Sequence, residues 1–105
     1  MKGARLKSSH IYLSGEIVKN VFGEIVHAYV TYVKEQEKLL ITPVSSGWFV
    51  KMYEPNQFML KARNLDGDKT VAIHEILIDN ELDTTDRDLE YEVIERTNLI
   101  KIEMR

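Results

Sequence analysis

Apolar residues along this chain switch between two spacings, and the switches mark its elements. His10 to Leu13 is a β-prone run that Ser14-Gly15 stops. Beyond it Ile17, Val18, Val21 and Phe22 recur at helical spacing. Ser14 suits an N-cap and Gly23 the left-handed residue that closes a helix, so a helix is predicted over 15–22. The helical period could be traced on through Ile25, Val26, Tyr29 and Val33 to Lys34 as one long helix. Gly23 interrupts that reading, and IVHAYVTYV is rich in β-branched and aromatic residues that favour a strand. The preferred assignment is a strand over 24–34, a turn at Glu35 to Glu37 and a return strand from Lys38 to Thr42 that Pro43 ends.

The same order of elements returns in the C-terminal third. TVAI (70–73) is a short strand, HEILIDNEL (74–82) a short helix with an unfavourably acidic end, and DTTDRD (83–88) a loop. Leu89, Tyr91 and Val93 then alternate with charged residues, Arg96-Thr97-Asn98 turn the chain, and Leu99 to Met104 returns. Strand, helix and hairpin thus occur twice, as unit one over about residues 10–44 and unit two over about residues 70–105. Between them, residues 45–69 are the least regular part. WFVKMY (48–53) reads as a short apolar strand or turn. Phe58, Met59, Ala62 and Leu65 fit one helical face, while Phe58, Leu60 and Ala62 also alternate as in a strand, and Asn64 to Gly67 is a helix stop or a turn. Residues 1–9 read as a basic arm or a first strand. The expectation is a single β-rich α+β domain whose core includes Ile11, Leu13, Ile17, Val21, Phe22, Val30, Leu40, Ile73, Ile76, Leu77, Tyr91, Val93 and Ile100.

Composition narrows the function classes. At 105 residues, 44% apolar and 30% charged, the chain can bury a core without staples. It has no cysteine, so disulfides and thiolate metal sites are excluded and a reducing compartment is expected. No apolar run reaches the ~20 residues of a membrane span, and MKGARLKSSH lacks the apolar centre of a signal peptide. No membrane association and a cytoplasmic location are therefore expected. The net charge of -3 is uneven: residues 1–78 hold 10 Lys+Arg against 8 Asp+Glu, and residues 79–105 hold 4 against 9. A polyanion would meet the N-terminal part first.

Candidate chemistry is sparse. His10, His27 and His74, with Glu16, Glu24 and Glu75, show no spacing that would aim two ligands at one metal ion. Asp79, Glu81, Asp83, Thr85 and Glu90 match positions 1, 3, 5, 7 and 12 of a calcium loop, but Thr84 stands where the sharp turn needs glycine and Arg87 places a cation at position 9. Ser8, Ser9, Ser14, Ser45 and Ser46 lie in no nucleophile elbow, and no glycine-rich phosphate loop is present. No cofactor is implied and a non-enzymatic protein is expected.

The segments IYLSGEIVKNVFG, EIVHAYVTYV and KLLITPV in unit one, with VAIHEILIDNEL, DLEYEV and LIKIEM in unit two, resemble the swapped-hairpin family of AbrB, MazE and SpoVT regulators and antitoxins. Two copies in one chain are similar to the tandem arrangement of its MraZ branch. The proline usual where strand meets helix is replaced by Ser14 and by Ile73-His74, and the acidic-to-arginine signature of the MraZ branch is missing. The resemblance implies an interleaved swapped-hairpin barrel that binds duplex DNA as a transcriptional regulator. The positions it points to are Arg5, Lys7 and His10 before the first strand and Lys61, Arg63 and Lys69 before the second. A protein-binding module, antitoxin-like or adaptor-like, is the alternative, using the aromatic insert and the acidic second unit. Long hairpins with few prolines also lead us to expect a homodimer.

Overall fold

In ARLKSSHIYL the inward positions are apolar and the outward ones polar or aromatic, and the chain forms a hairpin there. Strands β1 (Ala4–Lys7) and β2 (His10–Leu13) bury Ala4, Leu6, Ile11 and Leu13 on one face. Its two-residue turn, Ser8-Ser9, has both φ values positive (50° and 62°), as a turn matching the strand twist requires. The computed structural model describes residues 2–104. Ser14 then caps α1 (Gly15–Val21), its hydroxyl accepting from the Ile17 amide, and Gly23 leaves the helix at φ +59°. The chain continues as a long hairpin of β3 (His27–Val33) and β4 (Lys38–Pro43), and the single helix over 16–34 does not form.

WFVKMY is neither a strand nor a turn. It lies in helix α2 (Gly47–Tyr53), because Phe49 and Tyr53, four residues apart, both pack on the outer face of the β3-β4 hairpin. Phe49 is fully buried with Leu40 and Leu99, its ring centroid 4.9 Å from that of Tyr53. Glu54 ends the helix in the left-handed region just before Pro55. Strands β5 (Asn56–Met59) and β6 (Lys61–Ala62) follow, so the alternating reading of Phe58, Leu60 and Ala62 is the one realised, and Asn64 to Gly67 is a turn.

The second unit consists of β7 (Lys69–Ala72), α3 (His74–Asp79), β8 (Arg87–Leu89), β9 (Tyr91–Ile94), a 3-10 turn (Glu95–Thr97) and β10 (Leu99–Glu103). Helix α3 stops three residues short of Leu82: Asn80 caps it, Glu81 turns at positive φ, and Leu82 folds back with its amide donating to the Leu77 carbonyl. The acidic end, opposed by the helix dipole, gives way to this turn.

The strands form two antiparallel sheets, β6-β7-β2-β1-β8 and β5-β3-β4-β10-β9, and among the described residues no closed barrel is found. The chain crosses between the sheets three times, once from β2 to β3 through α1 and twice through a single residue. β5 passes into β6 through buried Leu60, whose amide donates to the Val26 carbonyl, and β8 passes into β9 through Glu90, whose carbonyl accepts from the Glu103 amide. Strands that hold the same place in the order of the two units pair antiparallel, β2 with β7 and β4 with β10. The result is strand-rich and α+β. Its radius of gyration of 12.5 Å matches the about 13 Å of one packed body of this length.

Between the sheets lies the main core, which takes Ile17, Val18, Val21 and Phe22 from α1 and Leu77 from α3. Of the expected core residues, Tyr91 is the exception at 42% exposed, because β9 is an outer strand and the ring lies along Gly3. Ile76 and Val93 are partly buried against the core, and Leu40 belongs to the small cluster under α2. No helix among the described residues is long and apolar enough to cross a membrane.

Candidate nucleic-acid interface

The sheet containing β3 and β4 is covered on its outer face by α2, whereas among the described residues the outer face of the first sheet has no helix over it. Strand register determines what that bare face presents. Lys61 on β6, Thr70 on β7, Tyr12 on β2, Arg5 on β1 and Asp88 on β8 are successive partners, so they form one row across all five strands. A second row on the same face holds Ala72, His10 and Lys7. Arg63, two residues beyond Lys61, lies over this face, its guanidinium carbon 5.7 Å from the centroid of the Tyr12 ring. Its Nε donates to the Thr70 hydroxyl at 2.9 Å. The cover leaves Thr70 only 1% exposed although it points away from the core.

Five of the six expected residues, Arg5, Lys7, His10, Lys61 and Arg63, thus share one surface. Lys69 does not. It pairs with Leu13 and Ala62, in the row whose side chains point inward, and lines a shallow groove along α1 with Gly15, Val18 and Glu24. The face is not uniformly basic. Arg5 Nε meets Asp88 Oδ1 at 3.1 Å, with the two side chains 47% and 86% exposed, and Asp86 accepts from the Ser8 amide at the hairpin tip. Sequence reasoning missed Tyr12, Thr70 and Asp88. The period-2 pattern of ARLK and HIYL is the signal that could have placed Tyr12 beside Arg5.

The loop that presents Arg63 is held firmly. Asn64 Oδ1 accepts from the amides of Asp66 and Asp68, and the Arg63 amide donates to the Asp68 carbonyl. Asp68 is buried, and its carboxylate accepts from Asn64 Nδ2 at 3.0 Å and from the Gly15 amide at 2.7 Å. It thereby satisfies a free amide of the first turn of α1 from 53 residues away. The Asn64 amide first, and the Gly15 amide next, hold the Asp68 carboxyl below the usual carboxylate range. A depressed folded-state value stabilises the fold above the ordinary carboxylate pKa of about 3.9, and this stabilisation is lost as pH falls through the lower value. The melting temperature is expected to hold between pH about 7 and 5 and to fall below about 4. Asp68→Asn should melt lower at pH 7 and lose part of that acid dependence, the remainder coming from groups such as Asp83, also depressed by bonds from Thr85. Equal slopes for the two proteins below pH about 4 would refute this role.

Elsewhere the potential sites are weaker. Among the described residues no three His, Asp or Glu side chains gather as metal ligands would. In the acidic loop the carbonyls of Asp83 and Thr85 accept from Arg87, whose other Nη reaches the Met104 carbonyl. The guanidinium thus occupies that loop as a tether to the C-terminal strand. A groove of about 450 Å³ lies between α1 and β9, and a smaller one of about 180 Å³ between α3 and β3. Each is set between one unit's helix and the other unit's strand. Comparison with known proteins gave no match to a family model, to a curated protein or to a solved structure at a significant level.

Proposed function

We propose that the protein is a non-enzymatic DNA-binding regulator that holds duplex DNA on the bare outer face of its first sheet. One observation carries the reading: the segments preceding both units, residues 4–7 and 61–63, deliver their cations to the same uncovered surface. Arg5 and Lys61 stand three strand spacings apart, ~14 Å at ~4.8 Å each. That distance compares with the ~12 Å width of a major groove, so one face can meet phosphates on both of its walls. The strands bent at Leu60 and Glu90, and the pairing of equivalent strands, support the finer reading of the two sheets as an interleaved swapped-hairpin barrel. On that reading the chain is similar to the AbrB, MazE and SpoVT regulators in tandem form.

Retention of duplex DNA that weakens steeply with salt is the test. Asp88→Asn should raise affinity at low ionic strength, because it removes a repelling carboxylate and frees Arg5 for a phosphate. An absence of salt-sensitive retention of any duplex would end the regulator reading.

The protein-binding alternative also has an observation in its favour. Trp48, Val50 and Met52 of α2 are exposed, Met52 by 66%, and so are Met59, at the end of β5, and Val26, just before β3. A second copy of this chain is one partner such a surface could take, as the expected homodimer requires. Sedimentation at tens of micromolar distinguishes a dimer from a monomer.

A further inference from the structure

We propose that Arg63 reads guanine in the major groove, with Thr70 and Tyr12 as its positioning residues. This deepens the DNA-binding reading above and rests on it. The cations of the bare face differ in how they are held. Lys7 and Lys61 end in ammonium groups, which present a point charge with no plane, and Arg5 has its charge offset by Asp88 at 3.1 Å. Arg63 alone of these combines a fixed orientation with the lack of an ion-pair partner among the described residues. Its Nε is committed to the Thr70 hydroxyl at 2.9 Å, and its plane stands over the Tyr12 ring at 5.7 Å. Thr70 is buried and the 63–68 loop is tied through Asp68 to α1, so the platform beneath the guanidinium is rigid.

With Nε occupied, the edge left for a ligand is the Nη1–Nη2 pair. Two parallel N–H donors match a pair of acceptors on one edge, and guanine presents such a pair, N7 and O6. Adenine presents an acceptor beside an N6 donor, which would set N–H against N–H. A phosphate offers paired acceptors too, but a contact to phosphate carries no base preference, so a guanine preference that depends on the guanidinium separates the two. Fixing the plane beforehand removes the ordering cost that a free arginine would meet on binding.

The experiment selects bound molecules from a pool of duplexes with a randomised centre at low salt, using the full chain as wild type, Arg63→Lys and Thr70→Val. The wild-type pool should be enriched ~10-fold or more for G·C at one position. Arg63→Lys keeps the charge, and with it the salt slope, yet should flatten that single preference. Thr70→Val removes the Nε acceptor without touching any charge and should weaken the same preference alone. An Arg63→Lys pool that keeps the wild-type preference, or a wild-type pool retained with no guanine preference, overturns the inference and leaves a phosphate contact. No retention by the wild type removes the DNA reading itself, a separate and recognisable outcome.

Discussion

Replacing Gly15 by alanine is expected to destabilise the protein by about 3 kcal/mol, the upper end of the range for forcing atoms into a packed site, and to lower Tm by roughly 10–20 °C. A Cβ at this position would fall inside contact distance of the Asp66 carbonyl oxygen, with the carbonyl carbons of Asp66 and Gly67 both at 3.3 Å. Those atoms are backbone in a loop fixed by Asn64 and Asp68, so no side chain can swing aside. Gly47 provides the control. It too is the first residue of a helix, α2, but a Cβ there meets nothing within 4 Å. Gly47→Ala should therefore leave Tm within a few degrees of wild type or raise it, since alanine is the better helix former. Denaturant melts of the two variants decide the matter: a Gly15→Ala loss under about 1 kcal/mol means that the loop does not seat on α1 as described.

The contrast between these two glycines shows which parts of the fold could be read from sequence. Helix α1 is legible because Ser14 and Gly23 punctuate it locally, and the β3-β4 hairpin because HAYVTYV and KLLITP carry their own strand preference. Helix α2 is not legible, because WFVKMY is apolar almost throughout and has no dominant period. What makes it helical is the spacing of Phe49 and Tyr53 over Leu40 and Leu99, which come from strands far apart in the chain. Tyr91 fails for the converse reason: its alternation with charged residues is real, but an edge strand leaves it half open. The site divides in the same way. The resemblance points to Arg5, Lys7, His10, Lys61 and Arg63 by their place before the first strand of each unit, while the inward turn of Lys69 follows from its pairing with Leu13, a register set between residues 56 apart. The Arg63–Tyr12–Thr70 arrangement depends on that same register and has no local signature.

Reversing two charges at once tests the functional reading most severely. Arg5→Glu combined with Arg63→Glu should abolish salt-sensitive binding to duplex DNA. The phosphate that Arg5 leaves without its cation lowers the magnitude of the logarithmic salt slope by about 0.9, Arg63 loses its base contact, and each introduced carboxylate then repels the backbone. The fold should survive. Both side chains are exposed, the Arg5–Asp88 pair that the change removes is a screened surface interaction worth about 0–1 kcal/mol, and the Arg63–Thr70 bond is worth about 1 kcal/mol. Lys69→Glu is the informative comparison, because it changes charge by the same amount per site on the inward-pointing row. If the bare face is the binding surface, Lys69→Glu leaves the salt slope near that of wild type. If instead binding reflects overall charge, Lys69→Glu weakens it as much as either single reversal does. Asp86 is not a neutral control, since it accepts from the Ser8 amide and so helps to hold the hairpin that carries Lys7. The decisive pattern is therefore loss of binding in the double variant, retention in Lys69→Glu, and cooperative melting well above the assay temperature in both. Equal weakening by Lys69→Glu and Arg63→Glu would leave the bare face with no special claim on DNA.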